Sequence, residues 1–108
     1  MEHLRPNERA AVQELHQLLA RDYRLVELRL FGSKARGDSG PESDIDVVIV
    51  VEDCDWARKR SIFRLCYELS LKHDVLLAPL VFSRERFYSD RNRTTPFYQN
   101  VQAEGVAV

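Results

Sequence analysis

The stretch that most constrains this chain is Asp44-Ile45-Asp46-Val47-Val48-Ile49-Val50-Val51, which closes on five successive apolar residues, Val47 to Val51. A strand that is apolar on both faces belongs at the centre of a sheet covered on both sides. The remainder of a 108-residue chain must then supply the covering layers. That length suits one domain, spanning residues 1–108.

The flanking pattern meets this demand. Pro6 and Asn7 predict a helix start, with Asn7 as cap, for a helix over Glu8 to Arg21. Its Ala11, Leu15, Leu18 and Leu19 fall at helical spacing. Leu25 to Phe31 alternates, with Val26, Leu28 and Leu30 on one face and Glu27 and Arg29 on the other, as a half-exposed strand does. Gly32-Ser33 stops that strand, Lys34-Ala35-Arg36 makes one helical turn, and Gly37 ends it. Asp38 to Ser43, with Gly40-Pro41, reads as a loop. Asp55 caps a helix from Trp56 to Leu71, whose Ile62, Leu65, Cys66 and Leu69 mark the buried face. Asp74 to Phe82 is a third strand, which Pro79 demotes to the edge of the sheet. Ser83 caps a short helix through Tyr88, Arg91-Asn92-Arg93 is a polar connection, and Thr95-Pro96 opens a last helix that Gly105 ends. The expected fold is α/β, with a small mixed sheet of three main strands flanked by helices. The second and third strands are joined by a helical crossover and so run parallel.

Composition narrows the function. Sixteen Lys+Arg face seventeen Asp+Glu, a net charge of −1, which argues against binding along a nucleic-acid backbone. No run of eighteen apolar residues exists, so no membrane span is expected. The first residues lack a basic segment followed by an apolar stretch, so no secretory signal is expected either. Cys54 and Cys66 show no metal or disulfide spacing and are expected as reduced thiols in a cytoplasmic protein, Cys66 in the core. Arg58, Lys59, Arg60 and Arg64 form a basic helix face that is expected to be solvated. Phe87, Tyr88, Phe97 and Tyr98 are either core or a surface for a partner or a second copy.

The chemistry gathers at one end of the sheet. Asp44 and Asp46, two residues apart, leave the same face of the central strand at its start. The helical crossover returns the chain to that end, which brings in Asp74 as a third carboxylate. If the first strand runs antiparallel to the second, the Gly32-Ser33 corner arrives there too. Backbone N–H groups at such a corner attract phosphate. Carboxylates nearby would repel it unless hard divalent cations such as Mg²⁺ stand between. The pattern points to metal-dependent transfer of a nucleotidyl or phosphoryl group. Lys34 and Arg36 either reach that phosphate or form a solvated turn.

Gly32-Ser33, ten residues, then Asp44-Ile45-Asp46 resembles the GSX10DXD signature of the minimal nucleotidyltransferases, in the DNA polymerase β-like superfamily. Lys34-Ala35-Arg36-Gly37-Asp38 and Ser43 extend the likeness. The resemblance implies that Asp44 and Asp46 hold Mg²⁺ on an NTP, and that Gly32 and Ser33 hold its β- and γ-phosphates. It implies that Asp74 completes the metal site or accepts a hydroxyl proton. It also implies ATP as donor and an antitoxin role, adenylylating a tyrosine of a HEPN-domain toxin partner. Two other readings keep the same fold: a module that neutralises a partner by contact alone, and a small-molecule nucleotidyltransferase completed by another subunit.

Overall fold

The computed structural model describes residues 3–37, 40 and 44–108. Along the chain run α1 (Pro6–Asp22), β1 (Leu25–Phe31), α2 (Ser33–Arg36), β2 (Ile45–Val51), α3 (Trp56–His73), β3 (Leu77–Ser83), α4 (Arg84–Phe87), α5 (Asp90–Arg93), α6 (Pro96–Glu104) and β4 (Val106–Ala107). The strands form one mixed sheet in the order β3-β2-β1-β4. β1 and β2 are antiparallel, with Phe31 opposite Asp46. β2 and β3 are parallel, with Asp46 beside Ala78. The central strand is the doubly apolar one, as its sequence requires, and Val47 to Val51 are all buried.

Alternation along β2 sorts its side chains into two layers. Ile45, Val47, Ile49 and Val51 meet α1 and α3 through Val12, Leu15, Leu19, Ile62, Cys66 and Leu69. Val48 and Val50 meet Phe87 and Val101 on the opposite face, where Phe31, Phe82, Tyr88, Phe97 and Tyr98 pack around them. The C-terminal aromatics are therefore core. Phe87 sits among Phe82, Tyr88 and Tyr98 at centroid distances of 5.4, 5.0 and 5.1 Å. Cys66 is buried, and burial pushes its thiol up to about 12. Among the described residues, no helix is long and apolar enough to cross a membrane.

Several boundaries differ from the sequence reading. Helix α1 starts at Pro6 with Arg5 as cap, and the Arg5 N–H donates to Glu8 Oε1 at 2.8 Å. Asn7, expected as the cap, instead donates its side-chain amide to the carbonyls of His73 and Asp74 at 3.1 and 3.3 Å, which ties the end of α3 to α1. Helix α3 runs on to His73, and Asp74 closes it with a left-handed φ of 55°. Strand β3 therefore begins at Leu77, three residues later than expected. The stretch expected as a polar connection contains the short helix α5, capped by Ser89. Strand β4 was not foreseen; it pairs antiparallel with β1. Of the expected loop from Asp38 to Ser43, only Gly40 lies within the described residues.

Candidate active site

The antiparallel β1–β2 pair carries Phe31 to the position opposite Asp46, so the next residue, Gly32, turns directly over that carboxylate. Gly32 has φ 74°, and a Cβ placed on it would lie 2.6 Å from Asp46 Oδ2. Only glycine meets both conditions at this corner. Its carbonyl accepts the N–H groups of Ala35 and Arg36, each at 3.1 Å, and the Ser33 carbonyl accepts that of Gly37 at 2.8 Å. These bonds close the turn α2, with Ser33 as its first residue. Gly37 ends it in the left-handed region at φ 84°.

Asp44 precedes β2 and is exposed, while Asp46 is half-buried at its second position. Burial and then the neighbouring Asp44 charge raise the Asp46 carboxyl above its ordinary value, and Arg36 partly offsets this. Among the described residues, no hydrogen bond or ion pair engages either carboxylate. Two hard oxygen donors crowded at one strand end, one of them held against its own ionisation, suit a divalent cation. The residues present thus fit a metal ion in the Mg²⁺ class, with Asp44 and Asp46 to hold it.

Two expected site residues fall elsewhere or act otherwise. Asp74 lies not on β3, where it was expected, but at the left-handed cap of α3. It borders an apolar groove of about 420 Å³ between α3 and β3, lined by Phe63, Cys66, Tyr67 and Leu77. Among the described residues, no group of three His, Cys, Asp or Glu side chains is placed to hold a metal. The physical reason is the left-handed cap: it ends α3 at Asp74 and starts β3 late, so the β3 residue beside Asp46 is Ala78. Lys34 is also not turned toward a phosphate. Its side chain is 3% exposed, and the ammonium lies 2.6 Å from Oε2 of Glu8, a residue 1% exposed. Arg36 does face the site, and it also contacts Glu104 Oε2 at 3.5 Å. Glu8 and Glu104 were not foreseen as neighbours of this corner. Each lies far along the chain from its partner, and no spacing rule links them. His73 gives its ring to Glu14, with Nε2 at 2.7 Å from Oε1.

The family model described as nucleotidyltransferase domain matches residues 11–99. A Methanocaldococcus jannaschii protein assigned as a protein adenylyltransferase, MJ0604, is 39% identical over 102 residues, 92% of this chain and 95% of its own. A second from that organism, MJ0141, also assigned as a protein adenylyltransferase, is 35% identical over 86 residues, 79% of this chain and 80% of its own. A solved structure assigned as a minimal nucleotidyltransferase superposes with a TM-score of 0.65 at 26% identity, covering 93% of this chain and 91% of that one. The toxin–antitoxin pair MntA–HpeT gives a TM-score of 0.63 at 20% identity, covering 89% of this chain and 70% of the matched one, a likeness of fold. With the glycine corner seated on a carboxylate pair and relatives that align along most of its length, the chain belongs to the nucleotidyltransferase domain family, as a minimal nucleotidyltransferase.

Proposed function

We propose that this protein transfers AMP from ATP to a hydroxyl of a protein acceptor, with Mg²⁺ as the ion held by Asp44 and Asp46. The observation that carries the reading is the close approach of Gly32 to Asp46 Oδ2, which sets a phosphate-binding corner against a carboxylate pair. The donor's triphosphate lies along Gly32 and Ser33, and Arg36 adds positive charge beside it. When bound, the divalent ion neutralises the triphosphate and stabilises charge on the departing pyrophosphate. The corner and the carboxylates hold the α-phosphorus in line with the incoming oxygen. A bond forms from the acceptor oxygen to that phosphorus, the bond to the β-phosphate oxygen breaks, and the hydroxyl proton passes to solvent. We assign no part in this step to Asp74, which caps α3 and borders the α3–β3 groove.

The acceptor is a tyrosine of a HEPN-domain toxin, which makes this chain its antitoxin in the cytoplasm. Two findings support that reading: relatives assigned as protein adenylyltransferases, and a fold shared with toxin–antitoxin structures, one of them described as solved with AMP-PNP. The test is transfer of label from α-labelled ATP to the co-purified partner. Asp44→Ala with Asp46→Ala is expected to lower the rate by at least about 100-fold, the scale of losing an electrostatic clamp on the transferring group. An unchanged rate refutes the assignment. Neutralisation of the partner that persists in that double variant favours inhibition by contact alone.

A further inference from the structure

We propose that the buried Lys34–Glu8 pair is a positioning strut, which fixes the Gly32–Ser33 corner over Asp46 without itself touching nucleotide. The inference rests on the reading above, in which that corner seats the triphosphate.

Turn α2 has only four residues, too few to hold its own place by helical hydrogen bonding. Two side chains pin it. Ala35 packs against the α1–α3 core layer, and the Lys34 ammonium reaches Glu8 Oε2 in the first turn of α1. Glu8 is in turn fixed at its other oxygen by the Arg5 N–H at 2.8 Å, with Arg5 Nε at 3.4 Å. Burial alone would raise the Glu8 carboxyl, yet Lys34 and Arg5 bring it below its ordinary value. The carboxylate therefore stays charged and has both oxygens occupied.

Successive residues in a helical turn lie about 100° apart. With Lys34 and Ala35 both turned inward, Ser33 and Arg36 fall on the other side of the turn, from which Arg36 acts on Asp46. A charged pair that is 3% and 1% exposed is a poor source of stability, since apolar replacements of similar volume commonly fold as well or better. What it supplies is direction: an ammonium and a carboxylate set one register of the turn against α1, where apolar packing allows it to slide.

The probe is AMP-PNP with Mg²⁺, titrated by calorimetry, with the melting temperature recorded for each variant. Glu8→Leu with Lys34→Met is expected to melt at or above the wild type and to bind about tenfold more weakly, as a small misplacement of a binding group does. Lys34→Arg keeps the charge and is expected to recover most of the affinity. Glu8→Asp shortens the strut by one methylene with both charges kept, and about threefold weaker binding is expected. Wild-type affinity in either Glu8 variant overturns the strut. A wild type that does not bind AMP-PNP overturns the nucleotide reading, and the strut with it.

Discussion

At the scale of single residues, Asp46 records a conflict that folding alone does not resolve. Burial and the Asp44 charge hold its carboxyl above the ordinary value, so its ionised form is disfavoured in the native state relative to the unfolded chain. Stability tied to this group is therefore fully present below the unfolded carboxylate range and is lost as pH rises through the raised value. Asp46→Asn is expected to raise the metal-free melting temperature at pH 7 by a few degrees at most. That gain is expected to vanish when the melts are repeated below about pH 3.5, where both states of the wild type are protonated. A melting temperature at pH 7 below that of the wild type contradicts this. The convergence of Gly32, Ser33, Asp44 and Asp46 at one end of the sheet was legible from the sequence, because one turn and one strand end carry all four. Lys34 was not, because a four-residue turn has no periodicity that shows which way it faces, and its partner Glu8 lies in another element.

Among elements, β3 shows how an exposed sheet edge is kept from pairing. In the parallel register Ile45 donates to the Leu76 carbonyl, so Leu77, Pro79 and Val81 direct their backbone groups outward. The Leu77 N–H is given to Ser70 Oγ at 3.1 Å, and Ser70 itself donates to the Cys66 carbonyl. Pro79 has no N–H to offer. Two successive outward donors are thus removed, the usual guard against edge-to-edge association. Ser70→Ala with Pro79→Val is expected to shift the protein to larger species in light scattering at high concentration. Retention of the wild-type mass at all concentrations counts against this account. Pro79 made the edge position legible in the sequence. The part of Ser70 was hidden, since a serine in the last turns of a helix reads as solvent-facing. Strand β4 was illegible for a different reason: two residues after Gly105 are too short for alternation to register, and only pairing with Arg29 and Leu30 makes them a strand.

At the scale of the whole molecule, the doubly apolar β2 requires two covering layers, and they are built differently. One consists of the long helices α1 and α3. The other is assembled from the short helices α4 and α6 and their aromatics, with Phe87 fully buried at its centre. Glu27 lies beneath this second layer: it accepts the Tyr88 hydroxyl at 2.5 Å and pairs with Arg29 at 2.7 Å. The polar side of β1, which alternation marks as solvent-facing, is thus partly roofed over. Short aromatic segments far from the strands they cover carry no signal of which face they take, so their place was legible only as a choice between core and partner surface. Phe87→Ala is expected to cost about 3–5 kcal/mol, the range for emptying a buried aromatic site. Denaturant unfolding measures this directly, and a loss under about 1 kcal/mol would mean that the layer is dispensable.

The same architecture has a practical side. Gly37, at the back of the Gly32–Ser33 turn, lies under the imidazole of His3: a Cβ there would approach the ring to 2.7 Å. His3, in the leader of α1, thus fills the space behind the Gly32–Ser33 turn. Any side chain at Gly37 would have to push that ring aside, so a substitution there disturbs the approach to α1 as well as the turn itself.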